Sequence, residues 1–214
     1  MSTPADRTTG EDASLQPGGL RERKKAKLRR AIQDASLRLF AAHGYEQTTV
    51  EEIAEAAETS TSTFYRYFPS KEDVVLNDEV DDAIEAAFAS RPIDESLVES
   101  FRAVAGVVIG IADSDQEFHI ARLRMMSEIP ALRARYASTE FGTVALFGRV
   151  LADRTGLSAD DYQVELTAAA VTSVIFTAGR RWATERGRTS IDSLIGQAIT
   201  VVEPLLAALT PSNR

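Results

Sequence analysis

One short segment of the chain combines a helix start signal with a narrow apolar face. Thr49 followed by Glu52 fits a capping box, in which each side chain accepts a hydrogen bond from the other residue's backbone N–H. Thr48 with Glu51 offers the alternative register. The apolar face that follows repeats at helical spacing and comprises Val50, Ile53, Ala54 and Ala57. A narrow, alanine-rich face predicts a short helix that packs closely against its neighbour.

A second short helix is predicted directly after a turn at Glu58 and Thr59. Ser60 can cap this helix, and Phe64 and Phe68 lie one turn apart, so both rings are expected to be buried. The opposite side carries hydroxyls, a phenol and a guanidinium, contributed by Thr61, Ser62, Thr63, Tyr65 and Arg66. A solvated helix face usually carries Glu and Lys, whereas this helix contains no acid. The two segments form a helix-turn-helix pattern whose second helix is suited to lie against DNA.

The run Phe-Tyr-Arg-Tyr-Phe-Pro-Ser-Lys-Glu, which begins at Phe64, resembles the signature of the TetR family of bacterial transcriptional regulators. The resemblance implies that base edges in the major groove are approached by Thr61, Ser62 and Thr63. It implies phosphate contacts by Thr49, Tyr65, Tyr67 and Lys71, with Ser60 and Arg66 on the same DNA-facing surface. Many members carry Gly where Glu58 stands. A left-handed conformation at that position costs a non-glycine residue ~1 kcal/mol.

The charge of the chain is unevenly distributed. The formal net charge is −8, yet residues 20–71 carry ten Lys or Arg against seven Asp or Glu. Positive charge is dense in residues 21–30, directly before the helix-turn-helix, which favours a surface that meets phosphates. Residues 1–19 are rich in Ser, Thr, Pro, Gly and Asp, and this composition predicts a disordered tail.

The rest of the chain is predicted to be helical, so the fold class is all-α. A three-helix DNA-binding domain over residues 20–70 precedes a larger helical domain for ligand binding and dimerisation over residues 71–214. Strand-like alternation is absent, and Pro and Gly residues separate the apolar stretches. The predicted helices cover residues 71–90, 96–112, 115–128, 130–156, 158–186 and 190–208, with Ser158 and Asp161 as a capping pair for the fifth.

The last two predicted helices are candidates for a dimer interface over residues 158–208. The last helix carries a broad apolar face, and the helix before it is rich in small residues that allow close approach. Burial within one chain is the alternative interpretation. In the TetR family, two such helices build a four-helix interface, and a dimer is also what reading a two-fold operator requires.

The middle helices are the expected place for a small-molecule effector. Aromatic and Met side chains there either form the core or line a cavity, and the candidate ligand contacts are Phe118, His119, Arg122, Met125, Met126, Tyr136, Phe141, Phe176 and Trp182. Arg122 and Arg124 point to opposite sides of their helix, so at most one faces inward, where it needs an anionic partner. The segment from Glu128 to Arg133 resembles TetR proteins with acyl-CoA-like ligands, and we expect a largely apolar effector of that class.

The sequence shows no pattern of residues that is typical of a catalytic site. The chain has no Cys, which excludes disulfides and thiol chemistry, and its two His residues lack metal-ligand spacing. No glycine-rich phosphate loop follows a strand. We therefore expect no enzyme activity, no cofactor and no metal site. The function expected is a regulator, in particular a repressor, that binds a palindromic double-stranded DNA operator. The alternatives are a helical interaction protein or a small-molecule-processing enzyme without DNA binding.

The sequence also predicts where the protein works. No run of about 18 apolar residues is present, so no membrane span is expected. The N-terminus is polar and lacks the apolar region of a secretory signal, which together with the absence of Cys favours the cytoplasm.

Overall fold

The computed structural model describes residues 19–76 and 80–209, and every regular element in these ranges is an α-helix. The expected disordered tail, apart from Gly19, lies outside them. The helices are α1 (Leu20–His43), α2 (Val50–Ala56), α3 (Thr61–Tyr67), α4 (Asp73–Leu76), α5 (Val80–Ala89), α6 (Leu97–Ser114), α7 (Gln116–Glu128), α8 (Pro130–Thr155), α9 (Tyr162–Thr184) and α10 (Ile191–Ala208). The all-α prediction is confirmed.

Two differences from the predicted helices are larger than one or two residues at a helix end. The expected helix over residues 71–90 is described as two helices, α4 and α5. The helix expected from residue 158 begins at Tyr162, because Asp161 rather than Ser158 caps it. The Asp161 carboxylate accepts a hydrogen bond from the backbone N–H of Gln163 at 2.9 Å, whereas the Ser158 hydroxyl accepts one from the N–H of Asp160.

The first helix ends at a glycine with a positive φ angle. Gly44 has φ 90° and ψ 151°, a positive-φ conformation that residues with a side chain rarely adopt. A Cβ atom at this position would lie 2.6 Å from Oε1 of Gln47. Gly44 therefore lets the chain leave α1 in the direction that starts the helix-turn-helix.

The core around α1 to α4 extends beyond residue 70, where the boundary of the predicted DNA-binding domain was expected. Its buried residues come mainly from α1 to α4, but Phe118 and Met126 of α7 and Leu132 of α8 belong to the same cluster. Helix α4 packs against α1, α7 and α8. A second core joins α5, α6, α8, α9 and α10, and a smaller one surrounds Trp182. Residues of α7 and α8 therefore share one packed core with the helix-turn-helix.

Candidate DNA-binding surface and ligand cavity

The start of α2 is fixed by the predicted capping box. The backbone N–H of Glu52 donates to the Thr49 hydroxyl at 3.2 Å, and the N–H of Thr49 donates to a Glu52 carboxylate oxygen at 2.8 Å. Hydrogen bonds from the Thr49 backbone and side chain lower the pKa of the Glu52 carboxyl below its ordinary value. The register with Thr49 is thus the one adopted, and it leaves Thr49 exposed at the helix start.

Helix α3 divides into a buried and an exposed side as predicted. Phe64 and Phe68 are fully buried, with ring centroids 5.9 Å apart. Ser60 caps the helix, since its hydroxyl accepts from the N–H of Thr63 at 3.1 Å and donates to the Thr63 hydroxyl at 3.0 Å. Ser62 is exposed, and Thr61 and Thr63 are partly exposed. The hydroxyl-rich side of α3 therefore faces away from the core.

The two largest polar side chains of α3 extend this exposed surface. Tyr65 is 53% exposed, and Arg66 is exposed with its guanidinium carbon 5.4 Å from the centroid of the Tyr67 ring. Tyr67 itself is partly buried. Contact with the Tyr67 ring restricts the guanidinium, so a cation and a phenol stand beside the row of hydroxyls.

Lys71 has a structural role that the sequence did not reveal. Its ammonium donates to the backbone carbonyls of Tyr45 at 2.7 Å and Thr48 at 3.2 Å, and it lies 4.2 Å from the centroid of the Tyr45 ring. An ammonium has three N–H donors, so these two bonds leave one for a phosphate. Lys71 thus holds the loop between α1 and α2.

Tyr45 was missed because its importance depends on contacts distant in sequence. Its hydroxyl donates to Oε1 of Glu72 at 2.7 Å, and its ring packs on Phe40. Burial and the hydrogen bond to Glu72 raise the pKa of Tyr45 far above its ordinary value. Tyr45 therefore stays neutral and links the loop after α1 to the segment that follows α3.

Arg135 connects the segment that contains Ser70 and Asp73 with α8, and we call these contacts the clamp. Arg135 of α8 donates from Nη2 to Oδ1 of Asp73 at 2.9 Å and from Nη1 to the Ser70 hydroxyl at 3.0 Å. The Ser70 hydroxyl also donates to the other Asp73 oxygen at 2.7 Å. The start of α4 is consequently tied to α8, and neither partner of Arg135 could be identified from sequence spacing.

A cavity of about 440 Å³ lies between α4, α5, α6, α7, α8, α9 and α10. Its volume is within the ~300–1,000 Å³ range of small-molecule sites. Six of the predicted ligand contacts line it, namely His119, Arg122, Met126, Tyr136, Phe176 and Trp182. Asp73 and Arg135 line it as well, so the cavity reaches the clamp at the start of α4.

Three predicted ligand residues lie elsewhere. Phe141 is 79% exposed and is not a cavity residue, because its position on α8 turns it to the surface. Met125 packs against the core of the DNA-binding domain. Phe118 borders a neighbouring cleft between α1 and α7. For Phe141 and Met125 the sequence interpretation as cavity lining is thus corrected, since helical spacing alone could not tell which face meets the cavity.

The polar groups of the cavity come mainly from three helices. Arg122 is only 6% exposed and borders the cavity, whereas Arg124 lies on the other side of α7 and pairs with Glu128. The Trp182 ring is buried, and its Nε1–H donates no hydrogen bond to the described residues. Tyr136 stacks on Phe176 with ring centroids 5.3 Å apart. The cavity is therefore largely apolar, with a buried cation and an indole donor at its wall.

The outer side of α9 and α10 is apolar and exposed. Tyr162 and Leu166 of α9 are 71% and 50% exposed, and Val201 and Leu205 of α10 are 67% and 43% exposed. On the C-terminal side of Leu166, the exposed stripe of α9 continues with the small residues Ala169, Ser173 and Thr177. A surface of this kind on two adjacent helices is typical of a protein contact rather than of a solvated face.

Comparison with known proteins decides the family. Residues 32–77 match the family of bacterial regulatory proteins called tetR, and residues 92–207 match the MftR C-terminal domain. The regulator TcmR of Streptomyces glaucescens is 37% identical over 167 residues, which are 74% of this chain and 72% of TcmR. The chain belongs to the TetR family. It is a DNA-binding transcriptional regulator, and regulators of this family are not enzymes.

Two further similarities extend over most of this TetR-family chain. The mycofactocin biosynthesis transcriptional regulator MftR of Mycobacterium tuberculosis, itself described as putative, is 26% identical over 80% of this chain and 87% of its own. The fold is shared with the crystal structure of Thermus thermophilus FadR, a transcriptional repressor in complex with lauroyl-CoA. That similarity has a TM-score of 0.54 and 22% identity, and it covers 82% of this chain and 93% of FadR.

Two further features of the described residues bear on function. They contain no group of three or more His, Asp or Glu side chains that could hold a metal ion. By length and composition alone, one described helix, α10, is long and apolar enough to cross a membrane, with a mean hydropathy of 1.4. Because α10 packs against α6 and α9 and buries Ile195, Val202 and Leu206, this is weak evidence for a span.

Proposed function

We propose that the chain is a ligand-responsive transcriptional repressor that acts in the cytoplasm. It binds a palindromic DNA operator as a homodimer, and a largely apolar acyl compound releases it from the DNA. The observation that carries the proposal is the position of the cavity. Its wall includes Asp73 and Arg135, the ion pair that ties the first residue of α4 to the ligand domain.

The exposed side of α3 supports DNA recognition in the major groove. Thr61, Ser62 and Thr63 approach base edges, and Arg66 and Tyr65 stand beside them. Thr49, Tyr67 and Lys71 contact phosphates, with Ser60 holding the helix start. Because short hydroxyls make few bidentate base contacts, part of the specificity comes from the shape of the operator.

The apolar surface of α9 and α10 supports the dimer. The exposed small residues of α9 allow the equivalent helix of a second copy to approach closely, and Leu166, Val201 and Leu205 gain a partner. An isologous contact of this kind places two α3 helices about a two-fold axis, as a palindromic operator requires. Residues 71–214 then form one domain for effector binding and dimerisation.

The chemistry of the cavity supports an acyl effector. Most of its wall is aliphatic or aromatic, which suits an alkyl chain, and the buried Arg122 lines the wall together with the acids Asp73 and Asp81. The FadR protein of similar fold binds lauroyl-CoA. We infer that acyl compounds of comparable length occupy the cavity of this chain.

Release of DNA follows from a shift between two conformations. A ligand in the cavity presses on Leu76 and on the Asp73–Arg135 pair, so it favours a state in which α4 is displaced. Helix α4 packs on α1 and moves the DNA-binding domain with it. The ligand shifts this equilibrium only by its difference in affinity for the two states.

An electrophoretic mobility shift assay tests the DNA-binding half of the proposal. The probe is the region upstream of the protein's own gene, and the variant is Thr63→Ala. We expect a specific complex, and we expect Thr63→Ala to relax the preference at particular base pairs by ~1–3 kcal/mol at most. Absence of any specific complex, with sedimentation showing a monomer at micromolar concentration, would contradict the proposal.

A further inference from the structure

The cavity reaches the protein surface between α5 and α8. Of the described residues that line it, three are exposed, namely Asp81 of α5 and Arg135 and Ser138 of α8. The other described lining residues are buried or partly buried. The cavity therefore opens to solvent between the start of α5 and the first half of α8. We call the opening formed by Asp81, Arg135 and Ser138 the mouth.

The surface around the mouth is loosely packed. Gly142 lies one turn after Ser138 on α8, and a Cβ atom built on it would meet no atom within 4 Å. The clamp made by Arg135 precedes Ser138 on α8, and an ion pair of Arg149 with Glu85 of α5, at 3.1 Å, follows it. Both of these ion pairs are solvent-exposed, so polar side chains that can move border the mouth.

The wall formed by α9 and α10 is closed by packing. Trp182, Ile191 and Ile195 line the cavity there, and each is no more than 4% exposed. These side chains belong to one core with Ala112 of α6 and Ala178 of α9. A ligand that entered between these helices would have to break up that core, which is costly because protein interiors are close-packed.

The neighbouring cleft along α1 is the alternative route. It has a volume of about 830 Å³ and shares Val80, Ile111, His119 and Arg122 with the cavity. Arg122 is only 6% exposed and His119 is partly buried, so side chains close the wall between the two spaces. The mouth has no such wall, because its own lining residues are exposed.

We propose that the effector enters and leaves the cavity through the mouth. This route depends on the proposed binding of an effector in the cavity. The mouth is polar and the wall of α9 and α10 is apolar, so a compound with one polar end enters with its apolar end first. Because Arg135 belongs to both the mouth and the clamp, entry displaces the side chain that ties α4 to α8.

Stopped-flow fluorescence of Trp182, in the absence of DNA, measures the rates of entry and exit. Trp182 is the only Trp of the chain and lines the cavity, so its emission reports occupation. The probes are dodecanoate and dodecanoyl-CoA. The variant Ser138→Phe narrows the mouth, and its matched control is Ala137→Phe, at an exposed neighbour that does not line the cavity.

An obstacle on the route slows entry and exit by the same factor and leaves the affinity unchanged. We expect Ser138→Phe to lower the association and dissociation rate constants about tenfold each, a rise of about 1.4 kcal/mol in the barrier. The Kd should change less than about twofold, since the ratio of the two rate constants is preserved. Ala137→Phe should keep both rate constants of the wild type.

Two further variants separate the mouth from the cleft. Asp81→Phe narrows the mouth from α5 and should slow both rates in the same way, which also covers a failure of Ser138→Phe to fold. Ala26→Phe obstructs the cleft without lining the cavity and should change neither rate. Wild-type rates in both mouth variants, or slowing by Ala26→Phe instead, would refute the route and leave the acyl effector standing. If neither probe changes the emission of Trp182, the cavity is not their site and both proposals fail.

Discussion

Replacing Glu58 with glycine should stabilise the protein, because Glu58 occupies a conformation that L-residues avoid. Its φ is 51°, at the position just after the C-cap of α2. The N–H of Thr59 donates to the carbonyl of Ala54 at 2.8 Å, and the N–H of Glu58 donates to the carbonyl of Glu55 at 3.0 Å. These two bonds form a Schellman motif, whose left-handed residue is usually glycine.

The expected change in the free energy of unfolding is the difference between two opposing contributions. A left-handed conformation costs a non-glycine residue ~1–2 kcal/mol. Replacing Glu58 with glycine also raises the conformational entropy of the unfolded chain. This offsets ~0.4–1 kcal/mol of the free energy gained by relieving the strain. Glu58→Gly should therefore gain ~0.5–1 kcal/mol, which for a chain of this length raises the Tm by ~1–4 °C. Thermal unfolding followed by circular dichroism measures this shift.

Two variants separate backbone strain from other causes. Arg186 has φ 53° after the C-cap of α9, with the N–H of Gly187 bonded to the carbonyl of Trp182, so Arg186→Gly should give a similar gain far from α3. Glu58→Ala removes the carboxylate but keeps the positive φ, and it should give no gain. A Tm for Glu58→Ala as high as that for Glu58→Gly would refute the argument from strain.

Three more substitutions test individual contacts. Lys71→Ala should weaken binding to all DNA sequences about equally and reduce the salt slope by ~1; it should also lower the Tm, because two carbonyls lose their donor, and an unchanged affinity, salt slope and Tm would contradict both roles. Arg135→Gln cuts the clamp at α4 and should change the effector concentration for half-release by up to ~5-fold, the range of an exposed ion pair, whereas the exposed Arg133→Gln on the same helix should not. Hydrogen bonds from Arg91 and Ser100 lower the pKa of Glu95 to about 2; the stability they contribute is present above the ordinary pKa of 4.5 and is lost as pH falls towards 2, so wild type and Glu95→Gln should differ in Tm at pH 7 and converge near pH 2.

Local signals in the sequence were sufficient for most helix starts. Thr49, Ser60, Ser96 and Ser190 each accept a hydrogen bond from a backbone N–H within their own first turn, so a short window contains the whole interaction. The start of α9 was harder, because Ser158 and Asp161 are both capable caps. Only the path of the chain after α8 decides that Asp161 is used.

The exposed side of α3 could be predicted from spacing, because burial of Phe64 and Phe68 fixes which residues point outward. The cavity could be predicted only in part. Arg122 faces inward and Phe141 outward, and helical spacing alone did not distinguish these two orientations. No local sequence pattern predicts the clamp made by Arg135 or the ion pair of Arg30 with Asp115. Both join residues that are more than sixty positions apart in the chain.

The central claim, that occupation of the cavity releases DNA, is tested most directly by fluorescence anisotropy of a labelled operator. Dodecanoyl-CoA is titrated into the complexes of the wild type and of Gly179→Leu, whose added side chain begins 3.9 Å from Leu123 at the cavity wall and fills part of the cavity. We predict that the wild type leaves the operator, whereas Gly179→Leu binds the operator normally and stays bound. A wild-type complex that persists at saturating dodecanoyl-CoA, or equal release of both proteins, would contradict the account.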